Sequence, residues 1–297
     1  MRAEDKMGTD ASIIYYHGDA DGIMSAAILM SCFPAIKYKL VKCKYGETKP
    51  NPEDYVRASV AILDFSFEPE QMESICKSAS SVVWIDHHKT AKEKMPELWK
   101  DSKIFGTRAL DKSACLLAWE YYHPDMIPPR AVIYANDYDL WMHKHAESKA
   151  FVEYFSEFLI DPSSAEVLGL MNDAIALNGM IFRMIEAGNV LLAAKNTRIK
   201  KAFENGFDAT IQGYACRVVN SCTDISEIGE YIYTHGYPIA VIWHAKGSSI
   251  SVSLRSNSLD VGEMAKQRGG GGHEHAAGYV AVEYVNQIKA WLKMLGG

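Results

Sequence analysis

Three times in the first ninety residues a short β-type run stops at aspartate or histidine. Ser12-Ile13-Ile14-Tyr15-Tyr16 leads into His17-Gly18-Asp19-Ala20-Asp21-Gly22. Ser59-Val60-Ala61-Ile62-Leu63 ends at Asp64, and Ser81-Val82-Val83-Trp84-Ile85 ends at Asp86-His87-His88. Runs this apolar read as strands buried on both faces, which is the habit of a parallel sheet covered by helices. Helical stretches lie between and after them: Gly22 to Cys32, Glu68 to Ser78 with Pro69 in its first turn, Lys112 to Tyr122 and Pro129 to Ala135. A further strand is expected at Tyr38 to Lys44. In an open parallel sheet the carboxyl ends of the strands face one crevice, so the three motifs would converge although tens of residues separate them. A fourth acidic group, Asn136-Asp137-Tyr138-Asp139, follows the helical stretch that begins at Pro129.

The second half has a different pattern. Asp161 to Ala202 has helical periodicity, and its later part reads as a long connecting helix that the Asn205-Gly206 pair ends. Then come a strand at Tyr214 to Asn220, a helix at Asp224 to Thr234, and strands at Pro238 to His244 and Ser249 to Leu254. A helix around Val261 to Gln267, a glycine run, a strand at Tyr279 to Glu283 and a terminal helix complete the chain. The two strands joined by the Lys246-Gly247 turn suggest a mixed sheet. The expected fold class is therefore α/β: a doubly wound, mainly parallel N-terminal domain over 1–180, a connecting helix over 181–204, and a smaller mixed-sheet domain over 205–297.

Bulk properties exclude several classes. With 297 residues, 48% hydrophobic and 23% charged, the chain can bury a real core and is not a disordered protein. No apolar run approaches the ~20 residues that span a bilayer, and the polar opening MRAEDKMGTD is neither signal nor transit sequence. A cytoplasmic protein without a membrane partner is expected. Cys32, Cys43, Cys76, Cys115, Cys216 and Cys222 form no C-x-x-C pair, which argues against a disulfide framework or a thiolate zinc site. The net charge of −6 is unlike a protein that tracks long duplex nucleic acid, whose phosphates demand a basic surface.

The residue types at the strand ends suit metal ions. Hard divalent cations take carboxylate oxygen, and added imidazole nitrogen shifts preference from calcium toward manganese. Asp19, Asp21, Asp64 and Asp137 together would bring about four negative charges, which two divalent ions balance. Taken singly, an aspartate after a strand is as well explained as a helix cap, and a histidine pair as a packed surface feature. Capping alone does not explain three such motifs at three strand ends.

Asp19-x-Asp21-Gly22, the single Asp64 and Asp86-His87-His88 resemble the DHH phosphoesterase superfamily. Ser253-Leu254-Arg255-Ser256 followed by Gly269-Gly270-Gly271-Gly272-His273-Glu274-His275-Ala276-Ala277-Gly278 resembles the DHH-associated C-terminal domain. The phrases around Asp64, Asp86 and Asp137-Tyr138-Asp139-Leu140-Trp141 are similar to the oligoribonuclease branch called NrnB.

The resemblance implies a two-metal hydrolase. His17, Asp19 and Asp64 would hold one ion, and Asp21, Asp64, His87 and Asp137 the other, with Asp64 bridging; Asp139 is the alternative to Asp137. His88 would face the scissile phosphate, with Asp86 orienting a histidine. Gly270, Gly271 and Gly272 would let backbone amides approach a phosphate, beside Arg255, Ser256 and His273. Two manganese ions are the expected cofactors, with magnesium or cobalt as substitutes. The expected partner is a short RNA or small nucleotide, and a homodimer is compatible with the pattern. The implied activity is hydrolysis of short oligoribonucleotides or linear dinucleotides to mononucleotides. A phosphatase of the adenosine 3′,5′-bisphosphate type, a cyclic-dinucleotide phosphodiesterase, a pyrophosphate-type hydrolase and a non-catalytic nucleotide sensor are the alternatives. Ser113 is expected to cap a helix, and His123, His143, His145, His235 and His244 stand alone.

Overall fold

A computed structural model describes residues 12–172, 179–247 and 249–281. The chain divides into two compact units, Met1–Leu192 and Ala193–Gly297.

In the first unit, β1 (Ser12–His17), β2 (Tyr38–Cys43), β3 (Ser59–Leu63) and β4 (Ser81–Ile85) form a wholly parallel sheet in the order β2-β1-β3-β4. Alternation along the strands separates two cores. Ile14, Tyr16, Ala61, Leu63, Val83 and Ile85 face α1 (Ala20–Cys32) together with helices further along the chain. Ile13, Tyr15, Val60, Ile62, Val82 and Trp84 face α2 (Pro52–Tyr55), α3 (Pro69–Ser78) and the short α4 (Lys89–Lys94) and α5 (Pro96–Lys100). Both faces are covered, so this is the doubly wound arrangement that the unbroken apolar runs of β3 and β4 require.

The first core is completed by α6 (Ala114–Tyr122), α7 (Arg130–Asp139), α8 (Ser148–Phe158) and the short α9 (Ala165–Gly169). The later part of Asp161 to Ala202 is the expected long helix, α10 (Ile181–Glu204), and the short α9 precedes it. One expectation changes here. The helix begun at Arg130 continues past Ala135 and carries the acidic group within its own last turns.

The second unit begins inside α10, and its sheet runs β5-β6-β7-β8-β10-β9. These strands are β5 (Phe207–Ile211), β6 (Tyr214–Asn220), β7 (Ile239–Lys246), β8 (Ser249–Arg255), β9 (Gly271–Gly272) and β10 (Ala276–Ala281). Only β6 and β7 pair in parallel, across α11 (Ile225–Thr234); the other pairs are antiparallel. One face packs Ile228 and Ile232 of α11 with Ile199 of α10. The other packs Val261, Met264 and Ala265 of α12 (Val261–Lys266). Strand β5 was not expected from the sequence, and part of the glycine run is a strand rather than a loop. The expected terminal helix lies outside the described residues.

Candidate metal centre

The centre is assembled at the carboxyl ends of β1, β3 and β4. Asp19 is the N-cap of α1 and accepts a hydrogen bond from the Gly22 amide at 3.1 Å. Two residues on, Asp21 is 2% exposed, and its two oxygens accept from the Ala114 and Cys115 amides, each at 2.7 Å. It thereby caps α6 from another element. Ser113 occupies the cap position of α6, but its side chain makes no cap hydrogen bond, so the expected role passes to Asp21. The Ser113 amide is satisfied instead by Asn136 Oδ1 at 2.9 Å.

Asp64 is 1% exposed and has a left-handed backbone, with φ of 54°. That conformation is uncommon outside glycine, and aspartate is among the residues that tolerate it. Its amide still donates to the Ile85 carbonyl at 2.9 Å, holding the turn to the end of β4. Asp86 is fully buried, and one of its oxygens gathers the His87 amide at 2.8 Å, the His88 amide at 3.2 Å and His88 Nδ1 at 2.7 Å. It therefore fixes the ring of His88 and leaves Nε2 as that ring's uncommitted nitrogen.

Three overlapping groups of side chains result. His17 Nδ1 lies 2.6 Å from Asp19 Oδ2 and 3.5 Å from Asp64 Oδ2. His87 Nε2 lies 3.2 Å from Asp64 Oδ1, 3.5 Å from Asp139 Oδ2 and 3.7 Å from Asp21 Oδ2. His17, Asp19 and Asp64 form one set with metal-ligand spacing, Asp21, His87 and Asp139 a second, and Asp64, His87 and His88 a third. Asp64 presents one oxygen to each histidine. His88 stands beside the second set, with Nδ1 3.8 Å from Asp64 Oδ1.

Asp139, not Asp137, is the carboxylate brought to the cluster. Both lie in α7, where two residues turn the helix by about 200°, so they point to opposite sides. Asp137 accepts from the Lys144 amide at 2.8 Å, the His145 amide at 3.3 Å and Ser148 Oγ at 2.6 Å. Burial opposes its charge, but those hydrogen bonds prevail and hold its carboxyl below the usual carboxylate range. Asp137 fastens the loop after α7 to the start of α8.

The electrostatics of the centre are those of a site short of positive charge. Burial, followed by the Asp21 and Asp19 charges, pushes the Asp64 carboxyl well above its ordinary value. Burial and Asp21 push Asp139 up to about 8 despite His87. Asp64 Oδ1 and Asp139 Oδ2 are buried oxygens that receive no hydrogen bond among the described residues. Burial disfavours the charged forms of His17 and Asp19, yet their mutual pairing prevails, raising His17 to about 10 and lowering Asp19 to about 2. Oxygen and imidazole donors, four aspartates and unsatisfied buried carboxylate oxygens fit divalent cations of the manganese type.

The second unit's predicted residues lie on or beside the neighbouring strands β8, β10 and β9. Arg255 pairs with Ala276 across β8 and β10, and the Ser256 amide donates to the His275 carbonyl at 3.2 Å. The Arg255 side chain packs against Gly229 of α11. His273 opens the exposed turn between β9 and β10, its amide donating to Ala276 at 2.8 Å. Ser256 departs from expectation. Its hydroxyl donates to the Pro238 carbonyl at 2.7 Å and accepts from the Ser258 and Leu259 amides at 3.2 and 3.0 Å. A hydroxyl offers one donor and two acceptor sites, so Ser256 is saturated by its own turn and is not a substrate ligand. Gly270 and Gly272 lie so close to β10 that a Cβ on either would strike it, whereas one on Gly271 would meet nothing within 4 Å among the described residues.

A doubly wound sheet with clustered carboxylates and histidines at its strand ends, followed by a mixed-sheet unit, defines the class of two-domain metal-dependent phosphoesterase folds. The chain carries a DHH domain and a DHHA1 domain: residues 12–138 match the DHH family N-terminal domain and residues 224–296 match the DHHA1 domain. Uncharacterized protein R106 of Acanthamoeba polyphaga mimivirus is 26% identical over 289 residues, covering 90% of this chain and 66% of that protein. Among solved structures, exonuclease RecJ bound to manganese aligns with a TM-score of 0.57 at 13% identity, over 97% of this chain and 90% of that one. The pGpG-specific phosphodiesterase PggH from Vibrio cholerae aligns with a TM-score of 0.52 at 16% identity, over 95% and 97% of the two chains. Among the described residues, no helix is long and apolar enough to cross a membrane.

Proposed function

We propose that the chain is a two-cation phosphodiesterase that hydrolyses short oligoribonucleotides or linear dinucleotides to mononucleotides. The observation that carries this reading is Asp64, whose two oxygens face His17 on one side and His87 on the other. A buried carboxylate shared between two ligand sets is what a pair of cations requires. His17, Asp19 and Asp64 would hold one ion, and Asp21, Asp64, His87 and Asp139 the other, with manganese best matched to the donors. Bound ions of this kind lower the pKa of a water and stabilise charge on a phosphoryl group.

The protein's own groups supply the rest. Asp86 accepts from Nδ1–H of His88, so Nε2 donates to a phosphate oxygen only in the doubly protonated ring, and that bond gains strength as negative charge builds there. Asp86 acts through that histidine and does not touch substrate. In the second unit, the open face of Gly271 and the side chains of His273 and Arg255 are suited to phosphate. Branch and substrate follow the oligoribonuclease-like motifs around Asp64 and Asp86, and PggH offers support as a pGpG-specific phosphodiesterase with which this chain aligns over nearly its full length.

The test is manganese-dependent hydrolysis of a 5′-labelled RNA pentamer, pGpG, cyclic di-AMP, adenosine 3′,5′-bisphosphate and pyrophosphate, with an Asp86→Ala/His87→Ala variant as control. Shortening of the pentamer or splitting of pGpG, absent in the variant, is the expected result. Turnover confined to cyclic di-AMP, the bisphosphate or pyrophosphate would replace the substrate and keep the centre. Bound metal with no turnover of any member would overturn the enzymatic reading.

A further inference from the structure

An aromatic column climbs from the core of the first unit to the rim of the metal centre. Tyr15 packs edge-on to Phe67 with ring centroids 5.1 Å apart, Phe67 edge-on to Phe65 at 5.0 Å, and Phe65 against Tyr45 at 4.5 Å. The first three are buried, but Tyr45 is 44% exposed. Its ring centroid lies 5.7 Å from that of His17 and 5.6 Å from that of His88. It therefore borders both the first ligand set and the histidine that faces substrate. On the same strand end, the side chain of Lys42 crosses over Gly18, the residue after His17.

Fold stability does not call for this exposed ring. A tyrosine half in water leaves apolar surface unburied, and covering Phe65 needs only an aliphatic side chain. What the position does supply is a rigid π-face next to the place where a phosphate would be held. Stacking on such a face is how proteins bind unstacked bases without reading their sequence. We propose that Tyr45 is the nucleobase platform of this centre, so that the site selects phosphate esters of nucleosides over phosphates without a base. This rests on the metal-centre reading above but not on turnover.

The experiment is calorimetric titration of the protein in manganese buffer with 5′-AMP and with ribose 5-phosphate, which carries the same ester and no base. The wild-type protein should bind 5′-AMP more tightly. Tyr45→Ala should weaken 5′-AMP by about tenfold, the scale of one lost stacking contact, while ribose 5-phosphate is unchanged. Tyr45→Leu, which keeps cover over Phe65, should show the same loss, and Tyr45→Trp should retain affinity. Unchanged 5′-AMP binding in Tyr45→Ala, equal weakening of both ligands, or a wild type that does not prefer 5′-AMP would each overturn the proposal. A protein that binds 5′-AMP through Tyr45 yet hydrolyses nothing would keep the platform and reject the enzymatic reading.

Discussion

The strand ends of the first unit and the glycine turn of the second are both marked by signature residues, but their polar atoms are in opposite states. Around Asp64 the acceptors outnumber the donors: Asp64 Oδ1 and Asp139 Oδ2 are buried with no hydrogen bond among the described residues, and burial with neighbouring charge forces both carboxyls upward. Around Arg255 and His273 the backbone is paired within the turn, as is the saturated hydroxyl of Ser256. The first region is short of positive charge, whereas the backbone of the second is satisfied as folded. A signature motif therefore records two kinds of constraint, and hydrogen-bond accounting separates them.

Asp64→Asn is the most severe test of that contrast. It should remove metal from the isolated protein, read by metal analysis, and lower turnover by on the order of a thousandfold. In metal-free protein the same change should raise Tm, because it removes the carboxylate that burial and Asp21 most disfavour. A metal-free variant less stable than wild type would show that the first region is not strained by charge.

Asp139 and Asp137 sharpen the comparison within one helix. Asp139→Asn should weaken metal binding at least as much as loss of an outer partner does, on the order of 10–100-fold, with the fold intact. Asp137→Ala should leave metal content unchanged and cost about 2–3 kcal/mol of stability, because it unpairs buried amides and Ser148. Acidity separates them again. Metal-free Asp139 titrates at about 8 when folded, against about 4 when unfolded. Between those values only the unfolded chain loses the proton, so metal-free stability falls as pH rises from about 4 to about 8. His17 continues the fall: its contribution is complete below about 6.5 and is lost as pH passes about 10. Asp19 acts only in acid, losing its contribution as pH falls through about 2. Thermal scans of metal-free Asp139→Asn should show a shallower decline between pH 4 and 8 than wild type.

Most of the architecture was legible because it is written in period and punctuation. Apolar runs that stop at aspartate located β1, β3 and β4, and Asn205-Gly206 marked the end of the long helix. The choice between Asp137 and Asp139 was not legible, because it depends on whether α7 has ended. A helix that continues sends the two residues to opposite sides, while a loop leaves both free. Strand β5 was legible and overlooked: Phe207-Asp208-Ala209-Thr210-Ile211 alternates apolar and polar residues, the period of an edge strand. Tyr45 was hidden: nothing in a lone tyrosine reveals that Phe65, His17 and His88 will surround it. The role of Ser113 was assigned from local sequence and that of Ser256 from a family motif, and both were decided by hydrogen-bond partners.

The smallest effect is expected within the glycine run, where the contrast between paired and open groups narrows to adjacent residues. Gly272 has φ of 144°, and a Cβ there would lie 2.5 Å from Ala277 Cα and 2.6 Å from the Ala276 carbonyl oxygen. Gly272→Ala should therefore destabilise the fold by about 1–3 kcal/mol through backbone strain, whatever the ligand. Gly271 has no such neighbour among the described residues, so Gly271→Ala should leave Tm within about 1 °C of wild type. If a phosphate does approach that backbone, the added methyl meets the ligand instead of the protein. KM for pGpG should then rise by about fivefold, about 1 kcal/mol, with kcat unchanged. An unchanged KM would leave the whole glycine run explained by its packing on β10, and phosphate binding in the second unit would then have to rest on Arg255 and His273 alone.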